Sequence, residues 1–365
     1  MTLVAPGFGP VERVFDEVCG GRFGAAFAAV VDGSLVVDLW RGETDTGALW
    51  QGHTNCLIFS GTKGVVSTAV LMLVDRGLLS LDQRVAEIWP EFGAANKEAV
   101  TVAQVLSHTA GLPGITAPIS RDRLTDQPYL ASLLAAQEPM TPVGQPSYHA
   151  LTFGTLCDAL IRRLDGRSTG RFVSDEIARP LGLDLWIGAP AAVAAKSVVP
   201  LAAADFQLAA MLADPRPELE FVYRNPPIDG DWRPLLTGEI PSANGITNAR
   251  SMARLYGCLA AGGELDGERL LGPDQVTLAG TELSRGPDVL SGRMLRFGAG
   301  FELTGTPSQL GAFDDAFGFT GSGGSSHGAW PSRRAGFSFV MAEMRPENTD
   351  DRARRILAAL ADVIG

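Results

Sequence analysis

The 365 residues carry 30 Lys and Arg against 41 Asp and Glu, a formal net charge of -11, with 45% hydrophobic and 19% charged residues. That acidic balance argues against nucleic acid or anionic lipid as partners, since both need clustered cations. The composition is that of a globular chain long enough for roughly two domains, and no run approaches the ~18 consecutive apolar residues that span a bilayer.

The N-terminus, Met1-Thr2-Leu3-Val4-Ala5-Pro6, lacks the basic and then apolar order of a signal peptide, so a cytoplasmic location is expected. Cys19, Cys56, Cys157 and Cys258 show no C-x-x-C spacing and read as reduced, buried thiols. His53, His108, His149 and His327 show no paired metal spacing. Neither a metal nor another cofactor is expected.

Val11, Val14, Phe15 and Val18 recur at helical spacing and predict an opening helix that ends near Gly20 and Gly21. Residues 25–31 and 34–40 predict a hairpin turning at Asp32-Gly33. From about Gly61 to Arg76, apolar residues from Val65 to Val74 predict a buried helix, with Gly77 where a C-cap belongs. Helical signals dominate 82–235, including Thr101 as N-cap ahead of Val102 to His108 and a helix over Leu151 to Leu164. Asp214 to Pro241 is dense in Pro, Asp and Gly and reads as an extended excursion. Strand character returns near 297–303, 315–322 and 335–344, before a closing helix from about Asp350 to Ile364. Strands at both ends imply one sheet assembled from both termini.

A serine hydroxyl needs a base within hydrogen-bond reach to attack an acyl carbon at neutral pH. In Ser60-Gly61-Thr62-Lys63, residues three apart on a helix share a face, bringing hydroxyl and amine together. The apolar helix that follows would bury Lys63, and burial lowers an amine's pKa toward use as a base. The helix N-terminus adds positive potential and free N–H groups for an oxyanion.

Ser-x-x-Lys alone is a common spacing, but three further segments accompany it: Leu78-Leu79-Ser80-Leu81-Asp82, Leu106-Ser107-His108-Thr109-Ala110-Gly111-Leu112-Pro113 and Tyr148-His149-Ala150-Leu151-Thr152-Phe153-Gly154. With them, nearly the whole chain resembles the penicillin-recognising serine hydrolases: class C β-lactamases, D,D-peptidases and especially family VIII carboxylesterases. The resemblance implies that Tyr148 shuttles the Ser60 proton toward the leaving group. It also implies an Asn two residues after the tyrosine, where this chain has Ala150, and a Lys or His opening a Lys/His-Thr-Gly strand, where it has Phe319-Thr320-Gly321-Ser322. Lactam cleavage is thereby disfavoured against ester cleavage, because the family's Asn would orient the lysine and the lactam amide, and Phe319 leaves an apolar wall where a substrate carboxylate would find a cation. The Ser60 and Ser322 amides are expected to form the oxyanion hole.

Gly324-Ser325-Ser326-His327-Gly328 matches G-x-S-x-G, but Trp330-Pro331 prevents the helix that a nucleophile elbow requires. His108 is expected to satisfy carbonyls at a helix C-terminus. Substrate-binding positions are expected at Phe319, Thr320, Gly321, His149, Trp330 and Asn244. The fold expectation is an α/β (α+β), class C β-lactamase-like architecture. Residues 1–81 and 236–365 form the sheet-bearing domain, residues 82–235 a mostly helical one, and the site lies between them. The expected activity is serine carboxylesterase action on small neutral esters through an acyl-enzyme on Ser60. The alternatives are a β-lactamase, D,D-peptidase or acyltransferase with the same nucleophile, and a non-catalytic ligand-binding homologue. The partner is a small-molecule ester, and oligomeric state is not encoded in these motifs.

Overall fold

Both ends of the chain contribute to one antiparallel sheet of nine strands in the computed structural model, which describes residues 2–203, 206, 222, 225, 231–305 and 309–365. Across the sheet the order is Leu3–Val4, Ser34–Arg41, Ala25–Val31, Ala335–Met341, Ser325–Trp330, Phe317–Gly321, Glu302–Leu303, Met294–Phe297 and Ser284–Pro287. The predicted hairpin turns at Asp32 and Gly33, whose φ values of 47° and 76° are the paired positive angles of a tight hairpin turn.

Ala25–Val31 is apolar throughout because it is covered on both faces. Ala26, Ala28 and Val30 face one core, while Ala25, Phe27 and Ala29 face another. Against the second core lie the helices Gly9–Val18 and Arg352–Ile364. The first continues into the helix Thr62–Asp75 and the helical region beyond it. The helix Ala249–Ala260, capped by Asn248, packs on that face too. A Cβ on Gly336 would lie 2.0 Å from Gly257 N, so glycines let helix and sheet backbones meet.

The helix Val102–Leu106 carries a complete capping box between Thr101 and Gln104, and Thr152–Asp165 and Arg352–Ile364 stand where periodicity predicts helices. The strand predicted over 297–303 is instead two strands, Met294–Phe297 and Glu302–Leu303, broken at Gly298 and at Gly300, whose φ is 85°. Ser325–Trp330 is a full strand that the glycine-rich sequence conceals. Most of the predicted 214–241 excursion lies outside the described residues. Among the described residues no helix is long and apolar enough to cross a membrane.

Candidate active site

The site begins where a short strand, Cys56–Leu57, runs along Gly245–Thr247 and hands the chain to the helix Thr62–Asp75. Ile58 N–H donates to Gly245 O at 3.0 Å. Phe59 then takes a φ of 45°, an angle uncommon outside glycine and typical of constrained functional turns. Thr62 Oγ1 donates to Phe59 O at 2.6 Å and accepts from Gly245 N–H at 2.8 Å, holding this turn from both sides.

Ser60 therefore stands just before the helix rather than in its first turn, with Gly61 as the N-cap. Two glycines set the helix depth. A Cβ on Gly61 would lie 2.6 Å from the His327 ring, and one on Gly64 2.1 Å from Tyr256 Oη. Both glycines are needed for this close approach to the sheet and to the helix Ala249–Ala260.

Lys63 is fully buried. Its Nζ donates to Ser60 Oγ at 3.1 Å, Ala150 O at 2.8 Å and Ser242 O at 3.0 Å. Burial lowers its pKa to about 7, partly offset by the negative potential of Glu302. A neutral amine has two N–H groups and one lone pair. With two carbonyls holding the N–H groups, the lone pair is left facing Ser60 Oγ.

Tyr148 Oη donates to the same Ser60 Oγ at 2.9 Å. Its ring stacks beside His108 and Phe297, at centroid distances of 4.9 and 6.3 Å. Its N–H donates to Asp288 Oδ1 at 3.4 Å, and the next N–H, of His149, to His108 Nδ1 at 3.0 Å. Sequence reasoning missed Asp288, Ser242 and this role of His108, which faces Tyr148 instead of satisfying helix carbonyls. Asp288 lies 140 residues from Tyr148 in sequence, and Ser242 and Ala150 act through backbone carbonyls that no side-chain pattern announces.

Phe319 is buried with its ring centroid 5.6 Å from Lys63 Nζ, in an aromatic group with Phe297 and Tyr148. The ring has no exposed surface and packs beside the lysine. Gly321 lets its strand meet the segment before Ser60, because a Cβ there would lie 2.3 Å from Ile58 O. Ser322 follows at the exposed end of the strand. Thr320 donates both its N–H and its hydroxyl to Glu302 Oε2, at 2.9 and 2.8 Å. Glu302 is a lone acid between Phe301 and Leu303 in a sheet strand. That was a legible signal, and sequence reasoning missed it.

Three predicted substrate-binding residues are corrected. Asn244 is buried with its side chain spent on Leu235 O, Gly238 O and Ile240 N–H, so it orders its own loop. His149 is buried and braces two segments: Nε2 accepts from Leu112 N–H at 3.1 Å, which leaves Nδ1–H to donate to Ser147 O. Trp330, three residues after His327, faces the opposite side of the sheet. There it packs on Phe313 and Phe337 and donates to Leu310 O at 2.6 Å. Ser326 of the G-x-S-x-G sequence is buried in mid-strand and donates to Gln309 O.

The chain is similar over most of its length to known proteins. The β-lactamase family model matches residues 11–361. The esterase/β-lactamase LipL of Mycobacterium tuberculosis is 36% identical over 357 residues, which cover 93% of this chain and 82% of that protein. A penicillin-binding protein homologue from Caulobacter crescentus superposes with a TM-score of 0.91 at 35% identity, over 100% of this chain and 99% of that one. A family VIII carboxylesterase does so with a TM-score of 0.90 at 32% identity, over the same shares. Sequence and fold together make this chain a member of the β-lactamase family, within its esterase/β-lactamase-like hydrolases.

Proposed function

We propose that the protein is a serine carboxylesterase that cleaves small neutral esters through an acyl-enzyme on Ser60. The observation that carries this reading is the convergence of Lys63 Nζ and Tyr148 Oη on Ser60 Oγ, at 3.1 and 2.9 Å. Neutral Lys63 takes the hydroxyl proton as Oγ bonds to the ester carbon. The Ser60 and Ser322 amides take the oxyanion, where loss of one donor typically costs ~3 kcal/mol. As the carbon–oxygen bond to the alcohol breaks, Tyr148 passes a proton to the departing alkoxide and is reprotonated from Lys63. Water then enters by the same route in reverse and releases the acid.

The relatives support an ester substrate: one is called a family VIII carboxylesterase and another an esterase/β-lactamase. A fluorophosphonate should label Ser60 alone. Peptide mass mapping that found the adduct on Ser326 would overturn the assignment.

The pH profile follows from Lys63. Only its uncharged form accepts a proton, and its pKa is about 7. Below that value the ammonium form accumulates, so kcat/KM should fall about tenfold per pH unit on the acid side and level off above it. Rates on a neutral ester from about pH 5 to 9 check this. A profile flat across pH 7 would contradict Lys63 as the base.

A further inference from the structure

Phe317–Gly321 pairs with Glu302–Leu303 only through Phe317 and Gly318. Beyond Gly318 the edge on that side has no strand partner among the described residues, and an open strand edge is where an extended ligand can add. The Thr320 N–H faces this edge and donates to Glu302 Oε2, as does the Thr320 hydroxyl. A carboxylate thus occupies the edge two residues before Ser322.

Burial pushes the Glu302 carboxyl above the usual carboxylate range, while the potential of Arg293 and the two hydrogen bonds from Thr320 favour its charged form. The groups holding the carboxylate are the neutral N–H and O–H of Thr320. The cation whose potential reaches it, Arg293, is ion-paired with Glu347 at 2.9 Å. Glu302 is half-buried, so solvent screens it less than a surface acid. Its potential reaches Lys63 at the other end of the site. The resemblance to penicillin-recognising enzymes implies a cation on this strand. Here Phe319 takes the place of that cation, and the charged side chain bound to the strand edge is an acid, Glu302.

We propose that Glu302 is a specificity-determining residue: it turns away esters with a carboxylate beside the scissile carbonyl and favours those with a positive charge there. This rests on the reading of Ser60 as the nucleophile. Loss of ester turnover in Ser60→Ala tests that reading separately.

The experiment compares three p-nitrophenyl esters of similar acyl length: butyrate, hydrogen succinate and 4-(trimethylammonio)butyrate. In Glu302→Gln, which keeps an acceptor for Thr320, kcat/KM for the succinate relative to the butyrate should rise by at least about tenfold. The ratio for the cationic ester should fall several-fold, with butyrate as the internal reference on the alkaline plateau, where Lys63 is uncharged with or without the Glu302 potential. Both ratios unchanged in a folded Glu302→Gln that still turns over butyrate would overturn the proposal while leaving the Ser60 reading intact. Should that variant fail to fold, the wild-type enzyme supplies the test. Its kcat/KM for the cationic ester should exceed that for the succinate by at least about tenfold after each is corrected by its uncatalysed rate. Equal corrected efficiencies would overturn the proposal.

Discussion

Replacing Lys63 by Ala, or Tyr148 by Phe, is expected to lower kcat on a neutral ester by at least about a hundredfold, since a positioned acid or base contributes ~10²–10⁴. The two substitutions differ in what else they disturb. Tyr148→Phe removes one hydroxyl and keeps the ring between His108 and Phe297. Lys63→Ala also empties a buried volume and leaves Ala150 O and Ser242 O without their donor, where an unmet buried polar group costs ~1–3 kcal/mol. The tyrosine variant is therefore the cleaner measurement. Steady-state rates on p-nitrophenyl butyrate, with circular dichroism on both variants, decide it. Because both groups move the same proton, the double variant should be little worse than the poorer single one. Near-wild-type turnover in a folded Tyr148→Phe would contradict the shared-proton mechanism.

The site was legible in sequence wherever its chemistry depends on side chains close together in the chain. Ser60 and Lys63 lie three residues apart, and the apolar helix that follows announced the burial that lowers the lysine pKa. Sequence resemblance supplied Tyr148, whose distance of 88 residues from Ser60 no local period encodes. Polar residues near the motifs were the less legible part. Asn244, His149 and Trp330 all lie in or beside segments that line the site, yet each spends its polar atoms inside the fold. Adjacency in sequence says nothing of which way a side chain faces. For Trp330 the alternation of the strand would have settled the direction, had Ser325–Trp330 been recognised as a strand beneath its glycines. Glu302 shows the opposite case. Its sheet face was open to prediction from its two apolar neighbours, but its bond to Thr320 depends on a partner strand that only the fold identifies.

Neutral short-acyl esters are expected to exceed penicillins in kcat/KM by roughly ten- to a thousandfold once intrinsic reactivity is subtracted. This follows from two missing polar contacts of ~1–2 kcal/mol each, at ~1.4 kcal/mol per tenfold. At position 319 the ring of Phe319 is buried against Phe297, beside Tyr148, and offers a substrate carboxylate no cation. At position 150 the methyl group joins Val222 and Leu290 in a small apolar cluster, so an acylamino side chain meets carbon where the family's Asn would offer an amide. The two positions are not equal, however. Holding the lysine has passed to backbone, through Ala150 O and Ser242 O, and Ala150→Asn leaves those carbonyls in place. Most of the lost lactam selectivity should therefore trace to Phe319. Parallel kinetics on p-nitrophenyl butyrate and benzylpenicillin, each corrected by its uncatalysed rate, test the first statement, and equal corrected efficiency would refute it. For the second, Phe319→His should by itself shift the penicillin-to-ester ratio upward, and Ala150→Asn should add a smaller increment in the double variant. A shift produced by Ala150→Asn alone, with Phe319→His inert, would reverse the assignment and make the apolar cluster around Ala150 the element that selects esters.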